Sequence, residues 1–189
     1  MRIESYLDIT PEEITNKAHN IWLGISLGNK YFTKENIEKY LKWSIDNTKK
    51  EVLIVIADML HAINLEVLDG RTSEKAIKKA IRIGDKKAKE ISEIISGLSE
   101  PDREKVIVVR WKDILKNDIY KHNSSCIYAE FIANKTFHDL IVDIVKIGRE
   151  DRMEKILKMT DFEMNRFCEY VLNELPHFIN GVKIDVSVQ

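Results

Sequence analysis

At 189 residues with 44% hydrophobic content, the chain fits one compact domain, residues 1–189, with a sizeable core, which excludes a disordered protein. Lys and Arg number 30 against 31 Asp and Glu, a formal charge of -1, so any nucleic-acid affinity has to come from local clustering rather than overall basicity. The longest clean apolar run, Val52 to Ala57, is too short to cross a bilayer, and Met1-Arg2-Ile3-Glu4-Ser5 lacks the apolar centre of a signal peptide, so a cytoplasmic protein is expected. Cys126 and Cys168 form no CxxC pair, which predicts reduced thiols and no zinc framework.

In chain order, Pro11-Glu12-Glu13 opens a short helix, and Ile21 to Leu27 reads as a buried strand running into a glycine-flanked turn. The turn carries Gly24-x-Ser26-x-Gly28, the nucleophile-elbow string, in which glycines relieve crowding so that a strained turn presents a hydroxyl; a strand is expected to meet a helix there. Thr33 caps a helix over Lys34 to Asp46 with Ile37, Leu41 and Ile45 inward. Val52 to Ala57 is β-branched and continuously apolar, the mark of a strand covered on both faces, and it ends in Asp58. Helices from Met59 to Leu68 and Ser73 to Ser96 follow, then a strand from Lys105 to Val109. Ser124 or Ser125 is expected to cap a helix reaching Ile147, another covers Arg152 to Met159, and Thr160-Asp161-Phe162-Glu163 is a capping box whose helix Pro176 should end. Val182 to Val188 alternates like a strand. The alternation predicts an α/β fold, a Rossmann-like, doubly wound, mostly parallel sheet flanked by helices.

In such sheets ligands gather at the carboxyl ends of the strands, where Ser26 and Asp58 both fall. No GxGxxG fingerprint follows a strand and no Walker A string occurs, so no nucleotide cofactor is expected. His61, His122 and His138 lack ligand spacing, and no metal is expected. Arg166, Tyr170 and Glu174 recur every four residues and share one helix face. On the Ser73 helix, Lys75, Lys79, Arg82, Lys86 and Lys89 form a basic stripe, with Ile77, Ile81, Gly84, Ala88 and Ile91 expected to pack on the sheet opposite it.

Together, Gly24-Ile25-Ser26-Leu27-Gly28-Asn29-x-Tyr31-Phe32, Ile56-Ala57-Asp58-x-x-His61-Ala62-x-Asn64-x-Glu66 and Tyr170-x-x-x-Glu174-Leu175-Pro176 closely resemble the tRNA-dependent cyclodipeptide synthases. The resemblance implies a domain similar to the catalytic domain of class I aminoacyl-tRNA synthetases without their ATP signatures. It implies an enzyme that joins the amino acids of two aminoacyl-tRNAs into a 2,5-diketopiperazine, as a monomer, without ATP or metal. Carried over by position, Ser26 matches the nucleophile that holds an aminoacyl ester, and Tyr170 and Glu174 match the pair that holds the α-ammonium group, Glu174 also taking a proton from an attacking amine. Asn29 takes a supporting polar role, and Trp22, Gly24 and His177 match positions lining the first aminoacyl pocket. The segment with Lys75, Lys78, Lys79, Arg82 and Lys86 is similar to the family's basic helix for the tRNA acceptor arm. Where family members carry a late tyrosine that relays protons, this sequence offers Val188-Gln189, which turns attention to Tyr31, His177 or water for that step. Two other classes share parts of the pattern: a serine hydrolase built on Ser26, and a tRNA-binding module built on the basic helix alone.

Overall fold

The computed structural model describes residues 10–17 and 19–180, so the strand expected over Val182 to Val188 and the terminal Val188-Gln189 lie outside the described residues. The chain divides into two compact units, one of residues 1–58 and 81–110 and the other of residues 59–80 and 111–189.

The first unit holds a three-stranded parallel sheet in the order β1-β2-β3, made of β1 (Ile21–Ile25), β2 (Val52–Ile56) and β3 (Val106–Arg110). Helix α1 (Pro11–Thr15) precedes it, started by a reciprocal capping box in which Thr10 and Glu13 satisfy each other's backbone amides. Helix α2 (Lys34–Asp46) joins β1 to β2 and begins where the Thr33 hydroxyl accepts from the Asn36 amide. Val52, Ile54 and Ile56 alternate onto one face of β2, where Ile37, Leu41 and Ile45 of α2 join Ile91 and Ile94 from α4 (Ser73–Ser96) in a continuous core. β2 is the central strand and is buried almost throughout, as its composition predicts. β1 departs from its expected burial: it is an edge strand, only Ile25 is fully buried, and Trp22 is 39% exposed. Short α5 (Glu100–Glu104), which the sequence pattern did not announce, is capped by Ser99 ahead of β3.

The second unit is helical among its described residues. It comprises α3 (Asp58–Val67, from Met59 on), the first turns of α4, α6 (Trp111–Ile114), α7 (Asp118–Ala133), α8 (Lys135–Ile147), α9 (Met153–Ile156) and α10 (Asp161–Asn180). The expected single helix from Ser124 or Ser125 to Ile147 is instead α7 and α8. Asn117 caps α7, whose interior contains both serines; Ser125 donates to the Lys121 carbonyl and so needs no cap role. Asn134 then interrupts the run, its side-chain oxygen accepting from the Thr136 and Phe137 amides to start α8. The helix expected over Arg152 to Met159 is shorter, a 3-10 turn at Glu150–Arg152 followed by α9.

Helix α10 starts at the predicted capping box, the Thr160 amide donating to Glu163 at 2.9 Å and the Glu163 amide to Thr160 at 3.3 Å. It does not end at Pro176 but runs through it. A proline there lacks the N–H that would meet the Leu172 carbonyl, yet Pro176 and Leu172 are both buried, and packing against α7 and α8 offsets the lost bond.

Candidate active site

Register places the carboxyl ends of the three strands in one row. Ile25 pairs with Ile56 and Ile56 with Arg110. Ser26 follows at once, and the Ala57 amide donates to the Ile25 carbonyl at 3.2 Å, which anchors the backbone immediately before the serine. The residue is half-buried and begins a turn closed by the Asn29 amide on the Ser26 carbonyl at 3.3 Å. This is not the strained elbow expected from the string: among the described residues only Lys17 and Gly70 have positive φ, and the next helix starts at Lys34 rather than at the serine. Asn29 spends its side-chain oxygen on the Tyr31 amide at 2.9 Å, shaping the loop after Ser26, and the Tyr31 hydroxyl in turn accepts from the Tyr40 hydroxyl at 2.9 Å. Trp22 and Gly24 share one face of β1, with the Trp22 indole carbons 3.6 and 3.7 Å from where a Gly24 Cβ would stand.

Asp58 is 1% exposed and its carboxylate is taken up by Arg110, Nε at 2.8 Å and Nη2 at 2.6 Å on the same oxygen. The same guanidinium donates Nη1 to Asp85 of α4 at 2.8 Å and makes a longer contact from Nη2 to the Ile81 carbonyl at 3.4 Å. It fits because position 84 has no side chain: a Cβ on Gly84 would stand 2.6 Å from Nη2 and 2.8 Å from the Asp58 Cβ. A glycine inside a helix costs about 1 kcal/mol relative to alanine, and here the space it leaves is filled by the ion pair. Arg110 was not singled out from sequence, although two signals were present: a cation closing the apolar strand Val106-Ile107-Val108-Val109, and a glycine on the buried side of a long helix.

On α10 the three residues of the expected face have different fates. Arg166 pairs with Glu66 at 2.9 Å and with Glu169 rather than with Glu174. Glu174 is half-buried and forms no ion pair among the described residues; burial pushes its carboxyl up to about 7, against the opposing pull of a hydrogen bond from Tyr170. His177, one turn on, packs against Trp111 at 4.9 Å and Tyr120 at 5.3 Å between ring centroids, and burial lowers its imidazole to about 4, so it is neutral at neutral pH. Just before Glu174, Asn173 accepts from the Tyr120 hydroxyl through both its backbone carbonyl at 3.0 Å and its side-chain oxygen at 3.1 Å, and donates to the Tyr128 hydroxyl at 3.1 Å.

Along α4, Lys75, Lys78, Arg82, Lys86 and Lys89 are exposed and Lys79 is half-buried. Lys78 is paired with Glu74 at 2.6 Å. The buried stripe is shifted from the expected one: Ala76 and Ala80 are fully buried while Ile81 is 40% exposed, because the small residues allow the close approach of Ala62 and Leu65 of α3. The predicted residues thus fall in two sets. Trp22, Gly24, Ser26, Asn29, Asp58, Arg82 and Lys86 belong to the first unit, and Lys75, Lys78, Lys79, Tyr170, Glu174 and His177 to the second. Among the described residues no group of three or more His, Cys, Asp or Glu is placed to hold a metal ion, and no helix is long and apolar enough to cross a membrane.

A three-stranded parallel sheet flanked by helices in one unit and a helical second unit define the class as a helix-rich α/β fold. A family model described as cyclodipeptide synthase matches residues 7–188, and the chain belongs to that family. It is accordingly a tRNA-dependent aminoacyltransferase that forms cyclic dipeptides. Solved structures agree in fold. A Mycobacterium tuberculosis protein, whose structure relates cyclodipeptide synthetases to type I tRNA synthetases, is 19% identical with a TM-score of 0.74, covering 89% of this chain and 70% of its own. A cyclodipeptide synthase from Bacillus thermoamylovorans is 24% identical with a TM-score of 0.72, covering 88% and 71%. One from Staphylococcus haemolyticus is 23% identical with a TM-score of 0.71, covering 89% and 74%. No curated protein matches the chain significantly in sequence.

Proposed function

We propose that the chain, acting as one catalytic domain, makes its cyclic dipeptide by ping-pong transfer through Ser26. The Ser26 oxygen attacks the ester carbonyl of a first aminoacyl-tRNA, the bond to the tRNA breaks, and the tRNA hydroxyl leaves with the proton. Exchange of one oxygen ester for another is nearly balanced, so positioning and proton management carry the step. The α-amine of the aminoacyl enzyme, deprotonated by Glu174, attacks the ester of a second aminoacyl-tRNA. That forms one amide, releases the second tRNA and leaves a dipeptidyl ester on Ser26. The terminal amine then attacks this ester, the second amide closes the ring, and the proton returns to the serine oxygen.

Glu174 carries this reading. A carboxyl at about 7, hydrogen-bonded by Tyr170, exchanges protons with an amine at neutral pH far better than one at its ordinary 4.5. Trp22, Gly24 and His177 bound the first amino acid, Asn29 and Asp58 support the site, and Lys75, Lys78, Lys79, Arg82 and Lys86 take the acceptor arm. Incubation with charged total tRNA, read by mass spectrometry, tests the whole: a diketopiperazine together with an aminoacyl adduct on Ser26 is the expected result. Free amino acid without cyclic product would favour the hydrolase, and tRNA binding with neither adduct nor product would favour a binding module.

A further inference from the structure

The Asp58–Arg110–Asp85 bridge carries out no chemical step in the mechanism above, where Asp58 only supports the site, and the burial of Asp58 and Arg110 is not explained by stability. Withdrawing a carboxylate and a guanidinium from water is about as costly as their attraction is favourable, and apolar side chains of similar size often serve a core as well. The best-attested use of such a pair is to fix register. Here the register in question is that of a helix on a sheet. The apolar contacts of Ile91 and Ile94 are non-directional and let a helix slide by fractions of a turn, whereas Arg110 makes directional bonds to two elements at once. It holds Asp58, two residues past β2, and it holds Asp85 and the Ile81 carbonyl on α4. The helical turn it grips carries Arg82 and Lys86, and the strand row it belongs to ends at Ser26.

We propose that Arg110 is a positioning residue for tRNA-dependent acyl transfer: through Asp58 and Asp85 it fixes the basic turn of α4 relative to the strand end that bears Ser26. Phosphates held by Arg82 and Lys86 then deliver the acyl ester at the distance the serine requires. The inference rests on the proposed use of Ser26 and of the basic helix. A placement error of about 1 Å is enough to cost on the order of 100-fold in such a transfer.

The bridge predicts a split between binding and turnover. Asp85→Ala removes an exposed anion from within the basic stripe, so tRNA binding should be as tight as before or tighter, while single-turnover acylation by aminoacyl-tRNA falls about tenfold. Acylation by a minimal amino acid ester, which has no phosphates to place, stays at the wild-type rate, and Asp85→Glu, long enough to meet the guanidinium, restores the tRNA reaction. Arg110→Lys keeps the charge beside Asp58 but cannot span both carboxylates, and its tRNA-dependent rate should fall by about 100-fold at unchanged tRNA affinity. Wild-type acylation by aminoacyl-tRNA in the Asp85→Ala protein overturns the proposal. So do equal losses with tRNA and ester substrates, the signature of a merely structural bridge. If wild-type protein gives no Ser26 adduct with either substrate, the underlying reading of the serine has failed instead.

Discussion

Two carboxylates, buried Asp58 in one unit and half-buried Glu174 in the other, have been treated in opposite ways. Asp58 gives its carboxylate to the Arg110 guanidinium and is closed off from solvent, whereas Glu174 has neither a cation nor full exposure and is left with a phenol and a carboxyl near 7. The physical chemistry of burial is the same for both: taking a negative charge out of water is unfavourable unless something replaces the water. Where a guanidinium supplies the replacement, as Arg110 does for Asp58, the carboxylate is part of the architecture. Where it is left incomplete, as at Glu174, the proton is poised near neutral pH, a state that costs stability and that suits the proton transfer proposed for this residue.

Loss of the Ser26 hydroxyl, the proposed nucleophile, should have the largest effect. Ser26→Ala is expected to abolish both cyclic product and the labelled acyl-protein adduct, and an adduct that survives in this variant would remove the serine from the mechanism. Next come matched neutralisations of the two carboxylates, whose effects on stability should have opposite signs. Asp58→Asn leaves Arg110 buried with half its partner gone and should destabilise by about 3 kcal/mol or more. Glu174 binds its proton more tightly folded than unfolded, so between pH 4.5 and about 7 the native state holds more protons and stability falls as pH rises. Above pH 7 the ionised form costs roughly 3 kcal/mol, which Glu174→Gln should return, while cyclic product drops on the order of 100-fold. Denaturant titration of both variants at pH 8 checks the signs, and two shifts in the same direction would end the contrast.

The imidazole of His177 sharpens the same contrast from the cationic side. Its folded value of about 4 lies below the ordinary 6.5, so the unfolded chain takes up the proton first and stability is lost as pH falls from about 6.5 to 4. At pH 5 this amounts to roughly 2 kcal/mol, and His177→Leu should flatten that limb of the profile while leaving the stability above pH 7 nearly as it was. An acid limb of unchanged steepness in the variant would show that some other group titrates there.

The elements whose caps and periodicity agree were legible from sequence: α2 between Thr33 and Asn47, α4 over all its length, β2 by its β-branched run, and the start of α10 at its capping box. The misreadings have local causes. Asn134 and Ser125 offer the backbone competing side-chain bonds, and only the fold decides that the asparagine starts a helix while the serine sits inside one. Pro176 obeys its local rule in an isolated helix and is overruled by packing. At the candidate site, Ser26, Tyr170 and Glu174 stood out through their pattern. Arg110 did not, because it lies 52 residues from Asp58 and 25 from Asp85, and no spacing rule joins residues brought together by a parallel crossover.

The smallest effects should come from the basic stripe, where the contrast between matched and unmatched charge recurs at the surface. Lys78 spends its ammonium on Glu74 one turn away, while Arg82 and Lys86 are exposed and make no ion pair among the described residues. A surface pair such as Lys78 and Glu74 contributes little to stability, but a phosphate has to displace the carboxylate before it can use the lysine. An unpaired cation releases condensed counterions from the nucleic acid without that competition. Each phosphate contact contributes roughly 0.7 to 0.9 to the slope of log affinity against log salt. Replacing Arg82 and Lys86 together by alanine should therefore flatten the slope of tRNA binding by about 1.4 to 1.8, and Lys78→Ala by well under one contact. Fluorescence titrations across a salt series measure both. A slope change that is equal per residue in the two variants would mean that pairing on the free protein does not decide which cations meet the tRNA, and an unchanged slope in the double variant would take the acceptor arm off this turn of the helix.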